Sequence, residues 1–195
     1  MKLGIFGGSF NPPHVGHLIV AESVRDQMQF DRIIFIPSAN PPNKHDRTMA
    51  PAADRLQMTR LAVEGNNHFE VSDIETQRGG ISYTIDTVTS LVGLHPNGDL
   101  SLIIGADNLL EFQTWKSPDE ILSKVNLVAM SRPGFSPHDQ HGKYARFVSF
   151  VNVPQIGISG TEIRRRVKSG RTIRYMVPPS VHEYIARRGL YKDPV

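Results

Sequence analysis

Short apolar runs alternate with stretches of helical periodicity along this chain. Residues 2–6 (Lys-Leu-Gly-Ile-Phe) end in glycines, and residues 32–36 (Arg-Ile-Ile-Phe-Ile) stop at Pro37. Runs this short and continuous predict buried strands. Residues 15–28 between them have helical periodicity, and a strand, a helix and a strand in that order predict a right-handed parallel crossover. The alternation continues with a helix near 54–64, a strand near 69–71, a helix near 84–94 and strands at 100–104 and 126–130. The pattern predicts an α/β fold, a Rossmann-like doubly wound parallel sheet with helices on both faces. Ligands of such sheets sit beyond the carboxyl ends of the strands, where the strand order reverses.

Three further helix starts carry a serine followed three residues later by glutamate: Ser117-Pro118-Asp119-Glu120, Ser159-Gly160-Thr161-Glu162 and Ser180-Val181-His182-Glu183. That spacing predicts capping, in which the side chains satisfy free backbone donors. Gly189 is a fitting stop for the last helix. Residues 38–53 and 133–144, rich in proline, asparagine, histidine and lysine, predict mobile loops. With no internal repeat, low-complexity tract or second domain in view, residues 1–195 read as one domain, long enough to bury a real core.

Composition removes chemistry. The chain has no cysteine, which excludes thiolate nucleophiles, cysteine zinc sites and disulfides, and allows a reducing cytoplasm. The opening residues are too short for a signal-peptide core, and no stretch approaches the ~18 apolar residues of a membrane span, so a soluble, unexported protein without a membrane partner is expected. The net charge of +3 suits a protein that handles anions without requiring one. Arg164, Arg165, Arg166, Lys168, Arg171 and Arg174 crowd one segment near the C-terminus. They could neutralise phosphates or form a solvated helix face; no nucleic-acid module accompanies them, so a nucleic-acid partner is not expected.

The densest chemistry is Gly7-Gly8-Ser9-Phe10-Asn11-Pro12-Pro13-His14-Val15-Gly16-His17, from the end of the first strand into the first helix. Glycines let a backbone approach phosphate, a helix N-terminus offers N–H groups and positive partial charge, and two imidazoles can donate to anionic oxygens. His14 and His17, three apart, share a helix face. The alternatives are a tight turn with a surface histidine pair, or a metal pair, for which no third ligand is evident nearby.

This string resembles the Gly-Gly-Ser/Thr-Phe-Asp-Pro-x-His-x-Gly-His signature of bacterial nicotinate-nucleotide adenylyltransferases. Asn11 stands where that family usually has aspartate; both are short, polar turn formers. The resemblance continues through Pro37-Ser38-Ala39-Asn40-Pro41-Pro42-Asn43-Lys44, Ser82-Tyr83-Thr84, Ile104-Gly105-Ala106-Asp107, Ser131-Arg132-Pro133-Gly134 and Ile158-Ser159-Gly160-Thr161-Glu162-Ile163-Arg164. Asn43 is a second departure, since histidine is common there.

The resemblance implies a cytoplasmic nucleotidyltransferase of NAD biosynthesis that moves AMP from ATP to nicotinate mononucleotide, releases pyrophosphate, and uses Mg²⁺ carried on the ATP phosphates. It implies catalytic roles for His14, His17, Lys44 and Arg164. ATP would be bound by Gly7, Gly8, Ser9, Phe10, His14, His17, Gly105, Asp107, Ile158, Ser159, Thr161 and Arg164, with the helical segment at about 158–190 completing that site. The acceptor would be bound by Ser9, Thr84, Trp115, Lys116 and Arg132: Trp115 would stack on the pyridine ring while the main-chain N–H groups of Thr84 and Lys116 hold its carboxylate. Bland readings stand beside several of these, with Lys44 a solvated lysine, Asp107 a helix cap, Trp115 core, and Arg165 and Arg166 a solvated face. Another phosphorylated acceptor, such as phosphopantetheine or nicotinamide mononucleotide, remains open. So do a non-catalytic ATP sensor, a structural α/β protein and a homo-oligomer.

Overall fold

The computed structural model describes residues 1–41, 48–131 and 142–192. Six strands form one parallel sheet: β1 (Lys2–Gly8), β2 (Arg32–Pro37), β3 (Phe69–Val71), β4 (Asp99–Gly105), β5 (Asn126–Ser131) and β6 (Val148–Asn152). Their order is β3-β2-β1-β4-β5-β6, so the direction of winding reverses between β1 and β4. This is the Rossmann-like order, and the carboxyl ends of β1 and β4 flank the crevice where ligands bind.

Helices α1 (Val15–Met28), α2 (Ala52–Val63), α3 (Ile74–Arg78), α4 (Thr84–Leu94), α5 (Ala106–Glu111) and α6 (Pro118–Lys124) are interleaved with the strands, and α7 (Gly160–Lys168) and α8 (Pro179–Arg188) follow β6. Successive strand residues point to opposite faces. Thus Leu3, Ile5, Ile34, Ile36, Leu102, Ile104, Leu127 and Ala129 pack with Ile85, Val88 and Leu91 of α4, Phe112 and Ile121. On the other side Phe6, Ile33, Phe35, Ile103 and Val128 pack with Ala21 and Val24 of α1, Phe30 and Val63. A third cluster joins Met58 and Ala62 of α2 to Ile163 of α7 and Val181 and Ile185 of α8.

The anticipated strands and the helices at 15–28 and 84–94 are present, and the helix anticipated at 54–64 spans Ala52–Val63. The short helices α3 and α5 and the edge strand β6 were not anticipated. Only one of the three capping readings holds: the Ser159 hydroxyl accepts the Glu162 N–H at 3.2 Å. Ser117 does precede α6, but with φ 53° and no side-chain cap. Ser180 lies inside α8, where Pro178 precedes the first turn, and its hydroxyl instead donates to the Leu61 carbonyl at 3.0 Å. The Gly189 stop holds, with φ 63°. Most of the anticipated loop at 133–144 and the centre of that at 38–53 lie outside the described residues.

Candidate active site

The eleven-residue string folds as a turn that leaves β1 and enters α1, with a cis Asn11–Pro12 peptide. Phe10 is buried at φ 44° and packs edge-on against Phe6. Asn11 is also buried. Its Oδ1 accepts the Ala50 N–H at 3.0 Å and the Tyr191 hydroxyl at 2.8 Å, two bonds that need an oxygen and no charge. The departure from aspartate therefore leaves the turn intact.

His14 is the N-cap of α1, and its ring stacks on that of His17 with centroids 3.6 Å apart. Burial pushes the His14 imidazole down to about 4, so it is neutral at pH 7, and its Nδ1 has no hydrogen-bond partner among the described residues. A Cβ on Gly16 would stand 3.0 Å from that Nδ1 and 3.2 Å from the Ile156 Cγ2, which explains the glycine between the histidines. The His14 main-chain N–H donates to the His17 Nδ1 at 3.1 Å. That bond holds a neutral His17 as the tautomer carrying its proton on Nε2.

The start of α1 offers fewer free donors than its sequence suggested. The His14 N–H is taken by His17, the Val15 N–H by the Met176 carbonyl at 3.0 Å and the His17 N–H by the His14 carbonyl at 2.9 Å. Three main-chain donors at this end of the turn are thus occupied, which leaves a larger share of donation to an anion to the imidazoles.

Two cavities open at the carboxyl end of the sheet. The first, about 350 Å³, is lined by Gly7, Gly8 and Phe10 of the turn, Ser38, Glu75, Ser82, Thr84 and Trp115, among others. The second, about 660 Å³, is lined by His14, Gly16, Asp107, Gln155, Ile158 and Ser159, among others. Four residues line both: Phe6, His17, Gly105 and Met130. His17 is the only residue of this seam with a titratable side chain.

The anticipated residues thus divide. Gly7, Gly8 and Phe10, expected with the ATP residues, line the first cavity beside Thr84 and Trp115, while His14, Asp107, Ile158 and Ser159 line the second. Trp115 combines the two roles set against each other: half-buried and 5.2 Å from the Phe112 ring, it packs on the core and also forms cavity wall. The Lys116 ammonium bonds to Asp86 at 3.5 Å and sits 4.4 Å from the Tyr83 ring, tying the tryptophan loop to the start of α4. The N-cap of α5 is Gly105, and Asp107 follows in its first turn.

Arg164 and Thr161 line neither cavity. Arg164 donates to the Asn11 carbonyl at 2.8 Å and the Thr48 hydroxyl at 3.0 Å, bracing the turn from α7. Arg165 and Arg166 lie on the outer face of α7, where both bond to the Glu162 carboxylate at 2.8–2.9 Å and hold its pKa down. Lys44 and Arg132 lie outside the described residues.

Several site residues carried no sequence signal. Arg55 is 1% exposed and donates from Nε to the Ala50 carbonyl at 2.9 Å, from Nη1 to Ser9 at 2.8 Å and from Nη2 to Ala39 at 2.9 Å. Glu75 is buried at the first cavity, with Oε1 accepting the Thr87 hydroxyl and Oε2 without a hydrogen-bond partner among the described residues. The Ser38 hydroxyl is likewise buried without a hydrogen-bond partner among the described residues.

The cytidylyltransferase-like family model matches residues 5–166, which include both histidines, the β1–β4 crevice and most of α7. A relative from Salinibacter ruber, named a probable nicotinate-nucleotide adenylyltransferase, is 45% identical over 98% of each chain. The chain belongs to the nicotinate-nucleotide adenylyltransferase family. A further member, from Desulfitobacterium hafniense, is 42% identical over 98% of this chain and 96% of its own. Among solved structures, a Plasmodium falciparum nicotinic acid mononucleotide adenylyltransferase complexed with NaAD has the same fold. It superposes with a TM-score of 0.78 at 18% identity, covering 97% of both chains.

Proposed function

We propose that this enzyme transfers AMP from ATP to nicotinate mononucleotide, giving nicotinate adenine dinucleotide and pyrophosphate, in the cytoplasm as a step of NAD biosynthesis. The observation that carries the reading is the seam at His17. One cavity offers an aromatic wall and a helix N-terminus to a pyridine carboxylate, the other suits a nucleoside triphosphate, and His17 borders both. The acceptor phosphate attacks the α-phosphorus of ATP and pyrophosphate leaves in line. A phosphate monoester has its second pKa near ~6, so the attacking oxygen is already ionised and needs no protein base. Catalysis is then positioning plus stabilisation of charge developing on the α-phosphate, for which the Nε2–H of His17 is the donor.

In the same reading Ile158, Ser159, Gly105 and Asp107 hold the nucleoside half of ATP, Thr84 and Trp115 hold the pyridine, and Lys44, Arg132 and Arg164 serve the phosphates. Residues 1–195 act as one domain, with α7 and α8 completing the ATP side. Among the described residues no group of three or more histidine, aspartate or glutamate side chains could hold a metal ion. That donor set fits a Mg²⁺ kept by the triphosphate oxygens and water rather than by a protein cage. When bound, it neutralises charge on the phosphates. No helix among the described residues is long and apolar enough to cross a membrane.

The deciding assay is pyrophosphate release from ATP and Mg²⁺ with nicotinate mononucleotide, nicotinamide mononucleotide or phosphopantetheine as acceptor. The nicotinate compound is expected to give the highest kcat/KM, because N–H donors at the start of α4 suit a carboxylate and oppose an amide NH₂. No release with either pyridine would overturn the reading.

A further inference from the structure

We propose that Arg55 acts on the reaction through the Ser9–Phe10 peptide, orienting and polarising the Phe10 main-chain N–H as a donor to a substrate phosphate. This deepens the transfer reaction above and rests on it only for the identity of that phosphate. Arg55 is a buried guanidinium whose three described partners are neutral carbonyls, those of Ser9, Ala39 and Ala50. Among the described residues it forms no ion pair. Burial lowers its pKa. A buried cation on neutral partners is a poor way to add stability, since an apolar side chain of similar size fills the same volume without desolvation.

Peptide geometry supplies the other role. The Ser9–Phe10 bond is trans, the only cis bond among the described residues being Asn11–Pro12. In a planar trans unit C=O and N–H point in opposite directions. Arg55 holds the Ser9 carbonyl, so the Phe10 N–H points away from Arg55, and Phe10 itself lines the first cavity together with His17. No partner for that N–H is found among the described residues. A cation on the carbonyl polarises the whole peptide unit and strengthens its N–H as a donor. Phe10 also holds φ 44°, a conformation L residues seldom adopt, fixed by burial to 2% and by the rings of Phe6 and Phe35. Ala39 and Ala50, the other two acceptors, flank residues 40–49, so the same side chain joins both ends of that segment to the turn.

The test uses the full chain labelled with carbonyl-¹³C serine and ¹⁵N phenylalanine. Ser9–Phe10 and Ser149–Phe150 are its two Ser–Phe pairs, so the filtered spectrum holds two amides, with Phe150 as internal control. Inorganic pyrophosphate is expected to move the Phe10 amide proton downfield and leave Phe150 in place. Arg55→Lys, which keeps the charge but loses the fork, is expected to shrink that shift and to lower kcat about 10-fold or more, with each KM within about 3-fold. In Arg55→Ala, added guanidinium ion is expected to restore part of kcat. A Phe10 amide unmoved by pyrophosphate, or Arg55→Lys with normal kcat and only a lower Tm, overturns the proposal. Should the wild-type chain release no pyrophosphate with any acceptor, the transfer reading falls, and the amide titration still decides the role of Arg55.

Discussion

Replacing His17 separates its two nitrogens. Nδ1 accepts the His14 N–H at 3.1 Å, and in the proposed reaction the opposite nitrogen is the donor where the two cavities meet. Alanine removes both functions. Loss of one donor to charge that develops in the transition state costs about 10²–10³-fold in kcat, roughly 3–4 kcal/mol, with a smaller change in KM for ATP. Loss of the acceptor for a main-chain N–H costs a further ~1 kcal/mol of stability, and the ring's contacts with His14 and Phe10, at 3.6 and 5.1 Å, add to this. The mutant is therefore expected to fold with a modestly lower Tm. Asparagine and glutamine divide the loss, because an asparagine oxygen falls near the Nδ1 position and a glutamine nitrogen near that of Nε2. His17→Asn should recover stability more than rate, and His17→Gln part of the rate. Steady-state pyrophosphate release, with circular dichroism to confirm folding, decides the matter. A folded His17→Ala enzyme with kcat within about 3-fold of wild type would refute the assignment.

Other expectations follow from the same geometry. Gly16→Ala gains helix propensity of up to ~1 kcal/mol but crowds the His14 ring, so kcat should fall while Tm barely moves; a fully active mutant removes the steric reading. His14 has a folded pKa of about 4 against 6.5 unfolded, so its contribution to stability is complete above pH 6.5 and lost as pH falls towards 4. That loss amounts to about 3 kcal/mol, and His14→Asn should flatten it in urea unfolding at pH 7, 5.5 and 4.5. Trp115→Ala should raise KM for the pyridine substrate by an amount worth ~1–3 kcal/mol and leave KM for ATP nearly unchanged. Because Trp115 also packs on Phe112, some loss of Tm is expected, and loss of Tm alone would make it core only.

The sheet could be read from the chain because its central strands are unbroken apolar runs bounded by glycine or proline, as at residues 2–6 and 32–36. Strand β6 was harder: Val148-Ser149-Phe150-Val151-Asn152 mixes polar residues into a sheet edge, and only Val151 is fully buried. Helices α3 and α5 have five and six residues, too few to display a period. In the site, His14, His17, Trp115 and Asp107 stood out by motif or rarity. Arg55 could not, since an arginine inside a helix reads as surface until the carbonyls around it are known. The occupied donors at the start of α1 were hidden for the same reason, for one acceptor comes from Met176, far along the chain.

The bonds to Asn11 have a consequence for how the protein is made. Its side chain is held by Tyr191, 180 residues away, and its carbonyl by Arg164, 153 residues away. During synthesis the central strands and both histidines emerge long before these partners, so the turn lacks its full set of long-range braces until translation has passed position 191. Contacts of such separation close slowly because of the loop entropy they remove. A nascent chain can therefore hold a nearly complete nucleotide fold that is still catalytically silent. A ribosome stalled before Tyr191 is expected to display a protease-resistant sheet with little transferase activity, and release of the longer chain should switch that activity on.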